Sequence, residues 1–144
     1  MKITEAIRYV GVNDYDIKLF EAQYDVPNGM AYNSYVILDD KIAVMDSIDT
    51  KAGIEWLENI EAVTDKRTPD YLIVQHMEPD HSANIKLFAD KYPKSKIVAS
   101  AKAFSVMKQF FGTDFTDKQI VVGGKDTLIL GKRTLTFITA PMMH

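Results

Sequence analysis

Two regimes of hydrophobic patterning divide this chain. Near the amino terminus the apolar stretches are short. Ile7-Arg8-Tyr9-Val10-Gly11-Val12 reads as a first strand, Asn13-Asp14 as a polar turn, and residues 16–20 as a second, weakly alternating strand. Pro27-Asn28-Gly29 is a turn signal. Two continuously apolar runs follow, Tyr35-Val36-Ile37-Leu38 and Ile42-Ala43-Val44-Met45, joined by Asp39-Asp40-Lys41. Two β-rich runs around an Asp-rich link predict a hairpin. Because neither run alternates, the hairpin is expected to be covered on both faces.

From residue 51 the period changes. Trp56, Ile60 and Val63, supported by Leu57, follow helical spacing and predict a helix over 51–63, capped by Asp49 or Thr50. Residues 71–75 form the next apolar strand. Ser82 is placed to cap a helix with Ile85, Phe88, Ala89 and Tyr92 on one face, and Pro93 stops it. After a short strand at Lys96-Ile97-Val98-Ala99, Ser100 caps a third helix that buries Phe104, Met107 and Phe111 and ends at Gly112. Phe110 and Trp56 are also read as core residues. The remainder is β: residues 119–122, a turn at Gly123-Gly124, residues 127–130, a Gly131-Lys132 turn and residues 134–140. Strands, then β-α-β-α-β, then a hairpin predict an α/β sandwich with mixed sheets and outer helices.

A length of 144 residues suits one domain with a real core. With 47% hydrophobic and 26% charged residues, the composition is that of a globular chain. Seventeen basic residues against twenty acidic ones leave no concentrated basic face for nucleic acid. No window is long enough for a transmembrane span, and no polybasic amphipathic helix points to a membrane surface. There are no cysteines. That excludes disulfides, thiolate metal sites and a cysteine nucleophile, and it fits the cytoplasm.

Candidate chemistry is concentrated in one place. His76-Met77-Glu78-Pro79-Asp80-His81 follows the 71–75 strand directly and packs two imidazoles and two carboxylates into six residues. In an extended segment His76 and Glu78 share a side, and the Pro79 corner turns Asp80 and His81 toward a second position. That layout suits two adjacent metal ions better than one. Imidazole with carboxylate and no thiolate is compatible with iron or manganese and leaves zinc open.

On these residues the chain resembles the flavodiiron proteins, and within them the amino-terminal metallo-β-lactamase-like domain. The likeness rests on His76-x-Glu78-x-Asp80-His81, on Asn33-Ser34-Tyr35-Val36-Ile37-Leu38 with Ile42-Ala43-Val44-Met45-Asp46, and on Thr139-Ala140-Pro141-Met142-Met143-His144. It extends over essentially the whole chain. In the hydrolase branch of that superfamily the place of Glu78 is usually a second histidine, and its replacement by glutamate marks the diiron branch.

The resemblance implies an αββα sandwich, incomplete in this chain. It also implies a diiron centre in which His76, Glu78 and His144 bind one iron and Asp80 and His81 the other. A bridging aspartate, a last histidine and a flavodoxin-like domain holding flavin mononucleotide (FMN) are expected further along, so the chain is expected to be the front of a longer protein. The function implied is reduction of dioxygen to water, of nitric oxide to nitrous oxide, or of both. Electrons would come from a rubredoxin-like donor through FMN in a head-to-tail homodimer. Alone, the chain is expected to associate, to hold at most one loose metal and to be inactive. Two alternatives stay open: a dinuclear zinc hydrolase of the same fold, and a non-catalytic folding or dimerisation fragment.

Overall fold

The computed structural model describes residues 1–15, 19–20, 24–25 and 27–140. In chain order its strands are β1 (Ile7–Tyr9), β2 (Val12–Asp14), β3 (Leu19–Phe20), β4 (Tyr24–Asp25), β5 (Met30–Tyr32), β6 (Tyr35–Ile37), β7 (Ala43–Met45), β8 (Tyr71–Ile73), β9 (Lys96–Ala99), β10 (Gln119–Val121), β11 (Thr127–Ile129) and β12 (Thr134–Thr136). The helices are α1 (Gly53–Thr64), α2 (Pro79–Ser82), α3 (Ile85–Lys91) and α4 (Ala101–Phe111). The central sheet has the order β1-β6-β7-β8-β9-β10. Its first pairings, β1–β6 and β6–β7, are antiparallel, whereas β7, β8, β9 and β10 run parallel. The expected mixed α/β architecture is present.

The sheet is apolar on both sides because its strands alternate between two separate cores. Val36, Val44, Leu72 and Ile97 pack with Trp56, Leu57 and Ile60 of α1, Ile85 and Phe88 of α3, and Phe104 and Met107 of α4. Ile37, Ala43, Ile73 and Val98 face the other way, where Leu128, Leu130, Leu135 and Phe137 cover them. The helices thus lie on one face and the β11–β12 hairpin begins a second layer on the other. Cross-strand register lines up Val44 with Leu72 and Leu72 with Ile97, so each layer is continuous across strands. The β6–β7 hairpin is covered on both faces, as its unbroken apolar runs predict.

A polar clasp docks the second layer. The Asp39 carboxylate accepts the backbone N–H groups of Lys132 (3.1 Å) and Arg133 (2.8 Å), and Lys41 N–H donates to Leu130 O at 2.7 Å. A Cβ on Gly131 would lie 2.5 Å from Asp39 Oδ1, so only glycine lets the two turns approach this closely. Beyond the clasp, Ile129 and Ile138 are exposed.

Three sequence-based expectations are corrected. The apolar run 7–12 is two strands: β1 pairs with β6, then the chain turns so that β2, including Asn13 and Asp14, pairs with β5. Tight contact forces the break, because a Cβ on Gly11 would sit 2.2 Å from Tyr32 O. Ser82 does not cap a helix. It lies within α2, where its hydroxyl donates to Met77 O and Glu78 O, and α3 starts after Asn84. Phe110 is 65% exposed rather than core, while Phe104 and Met107 of the same helix are buried. Elsewhere the local signals hold. Ser100 Oγ accepts from Ala103 N–H, Gly112 takes a left-handed φ of 72°, and Asp49 caps a 3₁₀ turn leading into α1. Residues 16–18 of the weak strand lie outside the described residues. No helix among the described residues is long and apolar enough to cross a membrane.

The contrast within α4 gives a stability test. Phe104→Ala should cost roughly 3–5 kcal/mol through the cavity it leaves, and Phe110→Ala less than about 0.5 kcal/mol. Urea unfolding of the two variants measures the difference.

Candidate metal centre

Because β7 and β8 are parallel neighbours, the residues that follow them emerge together at one edge of the sheet. Carboxyl ends of parallel strands are where α/β folds place their ligands. Asp46 follows β7. Its N–H donates to Ile73 O (2.8 Å), and its carboxylate accepts Gln75 N–H (2.7 Å) and Gln75 Nε2 (3.1 Å). It is buried, 4% exposed, and held at φ 61°, a conformation that non-glycine residues seldom adopt.

The loop after β8 turns into α2 at Pro79, whose missing N–H costs nothing at the first helical position. One turn of helix then carries Asp80 and His81. Ser47 clamps it, since its N–H and Oγ donate to His81 O at 3.0 and 3.1 Å. Asn84 adds a second tie by donating its amide to Ile48 O and Asp49 O.

These ties gather the side chains. His76 Nδ1 lies 3.9 Å from Glu78 Oε2, and His81 Nε2 lies 3.4 Å from Asp80 Oδ2. The imidazoles of His76 and His81 are 4.3 Å apart between ring centres. Glu78 thus lies near His76, and Asp80 near His81. His144 and residues 141–143 lie outside the described residues. Beside the cluster opens a groove of about 910 Å³ lined by His76, Glu78, Met45, Val98, Leu135 and Phe137, which gives small molecules a way in.

Sequence reasoning missed Asp46, whose carboxylate is 3.4 Å from His81 Nδ1. The signal was an aspartate directly after a buried strand. No spacing rule links it to residues 76–81, and only the order of the sheet brings them together. One ligand atom each from Asp46, His76 and His81 lie within 4.8 Å of one another. We place Asp46 behind His81 rather than among the donors, since its oxygens already accept two Gln75 N–H groups. His81 Nδ1 faces the Asp46 carboxylate, and Nε2 is turned toward Asp80.

The residues fit a bound cation. Asp80 is buried and its Oδ1 meets no hydrogen-bond donor among the described residues, an arrangement that is costly without a compensating charge. His81 Nε2 and Asp80 Oδ2 lie side by side at 3.4 Å and could both face a cation. Without a cation, a proton serves: the hydrogen bond to Asp46 raises the His81 pKa, burial opposes this, and the charges of Asp46, Asp80 and Glu78 add to the rise.

A family model described as ODP family beta lactamase matches residues 30–144. The chain belongs to this family. It is 33% identical over 143 residues to the nitric oxide reductase of Moorella thermoacetica, an alignment covering 99% of this chain and 36% of that protein. To the rubredoxin-oxygen oxidoreductase of Megalodesulfovibrio gigas it is 32% identical over 143 residues, covering 99% and 35%. Among solved structures, the flavodiiron protein of Giardia intestinalis superposes with a TM-score of 0.91 at 31% identity, covering 99% of this chain and 34% of that one. The rubredoxin oxygen:oxidoreductase of Desulfovibrio gigas superposes at 0.92 and 32% identity, covering 100% and 36%. The ODP-family fold seen here is thus that of the metallo-β-lactamase-like part of flavodiiron proteins. The chain spans about a third of the length of these relatives.

Asp46→Asn tests the role of the residue behind His81. The amide keeps the shape but removes the negative charge that faces His81 Nδ1. Metal affinity should fall roughly 10–100-fold, as read by competition with a metal-binding dye.

Proposed function

We propose that this chain carries the protein-derived half of a diiron centre in an oxidoreductase that reduces dioxygen to water, nitric oxide to nitrous oxide, or both. The observation that carries this reading is the donor set. His76 with Glu78 and Asp80 with His81 form two adjacent pairs without a thiolate, and Asp80 Oδ1 is buried with no donor among the described residues. His76 and Glu78 would hold one iron, joined by His144, and Asp80 and His81 the other. Anionic oxygen donors favour oxidised iron over zinc at such a site. When bound, the paired irons supply reducible positions at which the substrate accepts electrons.

The chain's own residues orient and shield. Asp46 fixes the His81 ring, Ser47 and Ser82 hold α2 in place, and the second-layer residues Leu135 and Phe137 make one wall of the groove apolar. The names of the relatives support the wider reading: one is a nitric oxide reductase and another a rubredoxin-oxygen oxidoreductase. It includes an FMN-bearing flavodoxin-like domain beyond this chain, a rubredoxin-like donor, a head-to-tail homodimer and a cytoplasmic setting.

Metal analysis of the intact protein, with iron and zinc counted separately, tests the reading together with dioxygen and nitric oxide consumption under a reductant. Iron with consumption of either gas is expected; zinc with no consumption contradicts it. Glu78→His exchanges an anionic oxygen donor for a neutral nitrogen and should shift occupancy toward zinc when both metals are supplied equally. Unchanged occupancy would show that Glu78 does not set the preference.

A further inference from the structure

Five asparagines stand in the chain, and the fold treats one of them differently. Asn13 donates its amide to Tyr15 Oη at 3.3 Å, and Asn33 Oδ1 accepts from Tyr9 Oη at 3.3 Å. Asn59 donates to Val10 O and Gly11 O at 3.2 and 3.3 Å, and Asn84 to Ile48 O and Asp49 O at 3.1 and 2.7 Å. Asn28 is exposed, and its carboxamide makes no hydrogen bond among the described residues. It is also the one asparagine followed by glycine, whereas Asp14, Ser34, Ile60 and Ile85 follow the others. Pro27 and Asn28 make the turn that leads into β5. Gly29 takes φ 82°, and a Cβ there would lie 2.4 Å from Asp14 O and 3.0 Å from Tyr15 Cα. The pairing of Asp14 with Met30 brings the two main chains this close. The fold therefore demands glycine at position 29. Glycine is also the residue that least shields its main-chain nitrogen from the side chain before it.

We propose that Asn28-Gly29 is a self-modifying site at which the asparagine deamidates. Gly29 N attacks Asn28 Cγ, the Cγ–Nδ2 bond breaks, and the proton of the Gly29 N–H leaves with the side-chain amide as ammonia. The product is a succinimide ring. Water then adds to one of its two carbonyl carbons and reopens it, with no change of oxidation state. Addition at the Asn28 main-chain carbonyl leaves isoaspartate, with the chain running through Cγ. Addition at Cγ leaves aspartate. The reaction needs only water and a base to take the Gly29 proton, and an exposed turn meets both in the solvent. It draws nothing from the metal-ligand cluster. Isoaspartate adds one atom to the main chain directly before the contact of Gly29 with Asp14 O, and either product adds a negative charge to a chain of net charge −3. The class of reaction that consumes the isoaspartyl form is methyl transfer to its new carboxylate.

The test holds the intact, folded protein in warm, mildly alkaline buffer made with ¹⁸O water and maps its peptides by mass spectrometry, with fragmentation to locate each change. Residue 28 should take up one ¹⁸O, with isoaspartate as the major product. That product should accept a methyl group from S-adenosylmethionine under an isoaspartyl methyltransferase, and ion exchange should show a matching acidic form. Asn13, Asn33, Asn59 and Asn84 should stay unchanged over the same period. In Asn28→Gln, whose longer side chain closes a ring poorly, both the methyl acceptor and the acidic form should be lost. An Asn28 still intact after weeks, or conversion only once urea had unfolded the chain, would overturn the proposal, because the fold would then protect the turn. Conversion of any hydrogen-bonded asparagine at the same rate would overturn it as well, since tethering of the carboxamide would then make no difference.

Discussion

Two buried parallel strands, β7 and β8, end side by side, and the main chain beyond them must find partners out of reach of water. Asp46 meets that demand. Its carboxylate takes the N–H of Gln75, the first exposed residue after the β8 segment, while its own N–H goes to Ile73 O. A buried carboxylate needs several donors to be tolerable, and Gln75 supplies two with one residue. The same carboxylate then faces His81. One constraint, the pairing of backbone groups at the strand ends, thus fixes both the exit of the loop and the ring it presents.

The rest of the molecule serves that edge. Helices α1, α3 and α4 all lie on one face, so the crossovers deliver β8, β9 and β10 in parallel with their carboxyl ends aligned. The Asp39 clasp sets the β11–β12 layer on the other face, and this layer walls the groove beside His76 and Glu78. Short α2 is too brief to be stable as a free helix. It persists because Ser47, Ser82 and Asn84 tie it to the loops on either side. Polar bonds rather than apolar burial therefore hold the cluster in place, which lets ionisable donors stay together at the rim of a hydrophobic core.

What the sequence discloses follows from the range of the interactions involved. The β6–β7 hairpin, the Ser100 cap and the Gly112 stop are local, and they were legible. So was the concentration of candidate donors at residues 76–81, because six consecutive residues carry it. The division of residues 7–12 into two strands was not legible, since it depends on Tyr32 O approaching Gly11. Ser82 had the right chemistry for a cap, but the helix began earlier, at Pro79, and the serine turned back to its carbonyls. Phe110 sits one residue off the apolar stripe of α4, a distinction that composition cannot make. Asp46 escaped because its partners lie about thirty positions away, at Gln75 (|i−j| of 29) and His81. Strand order alone joins them.

A crystal structure of the intact protein, measured with anomalous scattering above and below the iron edge, tests the central claim most directly. The account requires iron peaks bounded by His76 and Glu78 and by Asp80 and His81 Nε2, with the Asp46 carboxylate on the opposite side of the His81 ring, facing Nδ1. A peak bound directly by Asp46, with His81 coordinating through Nδ1, would contradict it, as would zinc in place of iron at both positions.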